Sequence, residues 1–125
     1  MSKDDWTTPI GPAIQILDRT DADGPLVEAP NLTRTSDGTY VLFYSSHCYS
    51  SAQYDVKYAT ARDIKGPYVR GGTLIKSGDL GGLVSPGGAS SVPGGSSLVF
   101  HANCGAGRCM YTTPVAFSGG KGAVG

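Results

Sequence analysis

The chain has 125 residues, 39% of them hydrophobic, and its ten basic and ten acidic side chains cancel to a formal net charge of zero. That length fits one domain with a core of its own, and the neutral balance gives nucleic acid or an anionic membrane no electrostatic hold, so a neutral substrate is expected. Nineteen glycines and eight prolines suit many short strands joined by turns, so an all-β fold with almost no helix is predicted.

Residues 1–11 read as irregular, with Trp6 and Pro9 packing against something rather than starting a domain. The first residues lack the apolar centre of a secretion signal, and no apolar run approaches the roughly 20 residues of a membrane span. Ala13–Leu17 has the pattern of a short strand, and Asp18–Pro25 that of a polar loop. Asp18, Asp21 and Asp23 are hard oxygen donors, but the ligand spacing and terminal Glu of an EF-hand are absent, which favours a solvated loop over a calcium site. Leu26–Arg34 then reads as a strand that turns at Thr35-Ser36-Asp37-Gly38, because Asp-Gly between apolar runs is a strong hairpin signal. The return run Thr39–Tyr44 is β-branched and aromatic without alternation, as in a strand covered on both faces. Tyr54–Ala59 alternates strictly, which puts Asp55 and Lys57 on a wet face. After a Gly66-Pro67 turn, Thr73–Lys76 is short enough for an edge strand. Four strands in sequence make an up-and-down sheet.

This unit occurs twice. Gly38–Ser46 lines up without a gap on Gly95–Asn103, an offset of 57 residues that also carries Glu28 to Ser85, and Tyr54–Ala61 is answered by Cys109–Ala116. Repeats of about this length with four strands each are how β-propeller blades look in sequence. The expected division is a first blade with its lead-in at 13–80, a second at 81–117, and a frayed tail at 118–125. Two blades do not close a ring, so further blades preceding these, or other chains, are expected to complete it. Cys104 and Cys109 flank a Gly-rich turn and can pair in an oxidising compartment, leaving Cys48 free. Asn31-Leu32-Thr33 is a glycosylation sequon in a predicted inner strand, where a glycan would clash.

In order along the chain stand Asp23-Gly24-Pro25-Leu26-Val27-Glu28-Ala29-Pro30, Gly38–Ser45, Tyr58-Ala59-Thr60-Ala61 with Ile64–Tyr68, Ser85-Pro86-Gly87-Gly88 and Phe100-His101-Ala102. Together, over roughly residues 13–117, they resemble the C-terminal portion of glycoside hydrolase family 43. The resemblance implies part of a five-bladed β-propeller, and an activity on arabinose- or xylose-containing polysaccharide that inverts the anomeric centre with acidic residues at the ring axis. It implies an extracellular setting, and it places the family's general acid on Glu28. An inverting enzyme needs a carboxylic acid facing a carboxylate base roughly 6.5–9.5 Å away, with room for water between them. On an inner strand, flanked by Val27 and Ala29-Pro30, Glu28 is placed to have its pKa raised by partial burial.

By the same resemblance Arg108 enters the subsite of the reacting sugar, where a guanidinium can bind hydroxyls and hold carboxylates ionised. His101, next to Phe100, is read as a packed, hydrogen-bonded histidine that borders the substrate. Ser85-Pro86-Gly87-Gly88 departs from the family's Gly-Pro-Gly-His, whose histidine helps bind a central calcium, so no cofactor is expected. The family's aspartate base belongs to earlier blades; Asp4 and Asp5 lack its motif. An alternative is a non-catalytic carbohydrate-binding or remnant propeller fragment, with Tyr49, Tyr54 and Tyr68 stacking on sugars.

Overall fold

A computed structural model describes residues 11–125; Trp6, Pro9, Asp4 and Asp5 lie outside the described residues. The chain is all-β. Eight strands form two antiparallel four-stranded sheets, each in simple sequence order. The first is β1 (Val27–Arg34), β2 (Tyr40–Ser46), β3 (Asp55–Ala61) and β4 (Val69–Ile75); the second is β5 (Gly87–Ser91), β6 (Ser97–Cys104), β7 (Gly107–Ser118) and β8 (Lys121–Val124). The only helical residues described are a single 3-10 turn at Asp21–Asp23. These are two neighbouring blades of a propeller.

The blades pack face to face. Val41, Phe43, Val56, Tyr58, Leu74 and Ile75 of the first meet Ala89, Leu98, Phe100 and Val115 of the second in one buried cluster. Burying large apolar side chains at roughly 1.5–3 kcal/mol each makes this interface the main source of stability. Polar latches fix its register. The Asn31 side-chain oxygen accepts hydrogen bonds from the backbone N–H and the hydroxyl of Ser91, both at 2.9 Å, and the Thr33 hydroxyl accepts from the Gly94 N–H at 2.9 Å. Both polar residues of the sequon are thus used inside the fold.

Several expectations are corrected. Ala13–Leu17 forms no strand; Ile16 and Leu17 instead pack onto Leu42, Tyr44 and Ala59 on the far face of blade one. The Asp18–Pro25 loop is exposed from Asp18 to Ala22 as foreseen, but Asp23 is not solvated, being only 1% exposed. Its carboxylate bridges Lys57 at 2.6 Å and Arg70 at 3.0 Å and accepts the Thr20 N–H. For the same reason the wet face foreseen for β3 is dry: Lys57 is 8% and Asp55 5% exposed, the latter accepting from the Ser46 N–H and hydroxyl. β4 starts four residues earlier than expected, at Val69. Residues 118–125 are not frayed, since Gly119 and Gly120, both at positive φ, turn the chain back to form β8, and the Gly122 N–H donates to the Tyr58 hydroxyl at 3.0 Å. Cys104 and Cys109 are disulfide-bonded and Cys48 is free.

Candidate active site

Each inner strand begins with the same kink. Ala29 and Ser85 both precede proline and both hold positive φ, at 54° and 53°, a backbone state that non-glycine residues avoid and that clusters where function demands it. Register shifts follow at once, between Glu28 and Asn31 in β1 and between Gly87 and Ser90 in β5. The two kinks therefore correspond one residue short of the 57-residue offset of β2 and β6, and the bulges absorb the difference. A bulge re-aims the side chain beside it. Here that side chain is Glu28.

Glu28 pairs across from Ser45 of β2 and receives a hydrogen bond from the Tyr54 hydroxyl at 3.0 Å. The partial burial expected of Glu28 is not found; the residue is exposed. Among the described residues β1 is an edge strand bonded only to β2, so nothing shields the side chain at its head. Tyr54, by contrast, is 1% exposed. That rules out its stacking on a sugar and gives it a different job. Burial pushes the phenol above its ordinary value; the Ser45 hydrogen bond opposes this and the Glu28 carboxylate adds to it, so Tyr54 stays protonated and donates.

Arg108 lies with its guanidinium 5.8 Å from the centre of the Tyr54 ring, within reach of a cation–π contact. Its Nε donates to His101 Nδ1 at 2.8 Å, Nη1 to the Asn103 side-chain oxygen at 2.6 Å, and Nη2 to the carbonyls of Ser85 and His101 at 2.7 and 3.1 Å. Four of its five N–H groups are thus spent on the protein, and one on Nη1 remains for a ligand. Accepting at Nδ1 leaves the His101 proton on Nε2. Burial and the Arg108 charge push the His101 pKa down, with Glu28 pulling the other way, so the ring is neutral near pH 7. The Tyr54 and His101 rings lie 6.2 Å apart. Two glycines make room for them: a Cβ on Gly87 would run into the Tyr54 ring, and one on Gly88 into the His101 ring. All three residues singled out in the sequence, Glu28, Arg108 and His101, meet at one end of the two blades, with Tyr54 as the buried element that joins them.

The solved structures most relevant to this arrangement point one way. A thermostable family 43 glycoside hydrolase superposes with a TM-score of 0.70 at 26% identity over 85% of this chain. The fold is that of family 43 glycoside hydrolases. An endo-1,4-beta-xylanase from Bacteroides thetaiotaomicron follows at 0.71 and 27% over 86%, and a family 43 endo-arabinanase from Bacillus licheniformis at 0.73 and 27% over 92%. The chain spans only 39%, 41% and 44% of the length of these three proteins. No protein-family model matches the sequence, and no curated protein matches it significantly.

In this family 43-like chain the Asp-rich segment and the Ser85-Pro86-Gly87-Gly88 stretch hold no group of three or more potential metal ligands among the described residues. The sequence offers Tyr54 only as a stacking face, whereas its alternation marks it as core, which it is, and only its hydroxyl reaches Glu28. Asn103 and Ser85 were overlooked as partners of Arg108, since nothing local in sequence foretells where a guanidinium folds back.

Proposed function

We propose that this chain supplies the acid side of an inverting glycoside hydrolase centre acting on arabinose- or xylose-containing polysaccharide. The observation that carries it is the position of Glu28: exposed, at the head of an inner strand beside a strained Ala29-Pro30 kink, oriented by a buried tyrosine and bordered by Arg108 and His101. A general acid must reach the leaving oxygen, and an exposed carboxyl held by one hydrogen bond is available to do so. The charges acting on His101 are those of Arg108 and Glu28, and the water-activating carboxylate of the pair is supplied from outside the described residues. The remaining Arg108 N–H and the His101 Nε2–H are donors suited to a neutral, hydroxyl-rich substrate. The Cys104–Cys109 disulfide fits an extracellular setting.

The test compares leaving groups on the assembled propeller. With Glu28→Gln, cleavage of unactivated arabino- or xylo-oligosaccharides is expected to fall by roughly 10²–10⁴-fold. Cleavage of an aryl glycoside whose phenolate leaves unaided should fall far less. Equal losses on both substrates, or none, would refute the acid role. Saturable sugar binding with no hydrolysis in any form would replace it with a carbohydrate-binding function.

A further inference from the structure

We infer a second carbohydrate-binding site at the opposite end of the blades, in the crevice where the β1–β2, β5–β6 and β7–β8 turns converge. It is independent of the role of Glu28. From Glu28 near the start of β1 to Thr35 just past its end the chain advances seven residues, so at about 3.3 Å per residue the two places are separated by roughly 20 Å.

The crevice is a cavity of about 640 Å³, within the roughly 300–1,000 Å³ usual for small-molecule sites. Its walls are unusually rich in hydroxyls: Thr35, Ser36, Thr39, Thr60, Ser96 and Ser118 all line it. Its one charged lining residue is Asp37. Hydrogen bonds from the Thr35 hydroxyl and the Thr39 N–H hold the Asp37 carboxyl down to about 2, so it is an acceptor at any working pH. The floor is apolar, made by Val41, Val115 and Phe117. Phe117 is wedged at 5.9 Å from Phe43 and 5.6 Å from Tyr58, which fixes its ring.

These features select the ligand by elimination. No Lys, Arg or His lines the cavity; Arg62 reaches it only through the Thr39 hydroxyl, to which it donates at 3.1 Å, and the Asp37 charge repels an anion. A metal ion is disfavoured because no group of three candidate ligands occurs among the described residues and the Asp37 oxygen Oδ1 already accepts two hydrogen bonds. A purely apolar ligand would strand the hydroxyls without partners. What remains is a neutral polyol with an apolar face, that is, a sugar residue: its hydroxyls meet Asp37 and the Ser/Thr walls and its C–H face meets the edge of Phe117. The site is built rather than incidental, since the Gly94 N–H is tied to Thr33 and the Gly122 N–H to Tyr58, so both turns that frame it are anchored to blade one.

The experiment is an amide chemical-shift titration of the ¹⁵N-labelled 125-residue chain with xylotriose and, separately, arabinotriose. Saturable shifts at the Gly94, Gly95, Gly119 and Gly120 amides are expected with at least one of them, unchanged in Glu28→Gln and lost in Ser96→Trp, which fills the mouth from an exposed turn position. The inference is overturned if those amides fail to shift saturably with either sugar, if Ser96→Trp leaves the shifts intact while keeping the wild-type spectrum elsewhere, or if only amides around Tyr54, His101 and Arg108 respond. That last outcome would leave the proposed hydrolase site standing, so the two readings fail separately.

Discussion

The two blades share strand order and repeat sequence, yet the middle strands of one are dry on both faces and those of the other are not. In blade one, β2 is buried from Val41 to Ser46 and β3 is buried almost throughout, because residues 16–24 fold back over its far face. In blade two the matching face carries Val99 at 42% and Met110 at 73% exposure. Burial of a propeller strand is therefore decided by what the connecting segment does as much as by the strand itself. The sharpest way to break this comparison is a pair of truncations on blade two. Phe100→Ala removes a ring that is 1% exposed and stacked at 5.8 Å on Tyr111, and should cost about 3–5 kcal/mol. Met110→Ala, on the exposed face, should change stability by less than about 0.5 kcal/mol. Urea midpoints for the two variants measure the contrast directly; similar losses would mean that Met110 is covered in solution.

The next effect in size belongs to the segment that covers blade one. Asp23→Ala strands Lys57 and Arg70 beside a buried face and should cost about 3 kcal/mol, whereas the double change Asp23→Leu with Lys57→Met should recover most of it. The wild type carries a pH signature of the same pairing. Burial pushes the Asp23 carboxyl up, but hydrogen bonds from Lys57 and Thr20 and the charges of Lys57 and Arg70 outweigh it, so its folded value lies below the ordinary 3.8. As pH falls the unfolded chain takes the proton first. The stabilisation is thus complete above the unfolded value and lost as pH drops through the folded one. Acid unfolding midpoints should show this loss in the wild type and lack it in Asp23→Ala; coincident curves would remove the ion pairs from the account.

Much of the fold was legible because its signals are local. Asp37-Gly38 fixed the first hairpin, the apolar run Val41–Tyr44 marked a strand buried on both faces, and the repeat of Gly38–Ser46 at Gly95–Asn103 divided the chain into blades. What misled were residues whose environment is set from far away. Asp55 and Lys57 alternate like solvated positions, but Lys57 is made interior by the return of Asp23, 34 residues earlier in the chain, and Asp55 by its bonds to Ser46 of the neighbouring strand. The site followed the same division. Glu28, Arg108 and His101 are candidates that motifs single out, but Tyr54 reaches Glu28 through one hydroxyl on an otherwise ordinary core residue, and the hydrogen bonds that consume Arg108 connect positions up to 23 residues apart.

A smaller effect tests the hairpin that carries Arg108. The Cys104–Cys109 bridge closes a tight loop, and replacing both cysteines by serine should cost about 2 kcal/mol through the unfolded chain. Thermal melts with and without a dithiol reductant check this; identical melting would mean that the bridge is absent in solution. If the bridge also positions Arg108, the double serine variant should shift the His101 imidazole titration upward, since Arg108 is one of the two groups, with burial, that hold that pKa down.

The smallest stability effect is expected at Glu28, and its smallness is the informative part. The residue is exposed and its one hydrogen bond comes from Tyr54, so Glu28→Gln should move the unfolding free energy by less than about 0.5 kcal/mol. Tyr54→Phe, in contrast, removes a hydroxyl from a buried site and should cost about 1 kcal/mol. A residue kept for packing would show the reverse order. A carboxylate that can be neutralised without harm to the fold, yet whose buried donor cannot be removed cheaply, has its structural support invested in orientation rather than in stability. Equal or inverted costs in denaturant melts of the two variants would make Glu28 a structural residue and detach it from the chemistry proposed for this end of the blades.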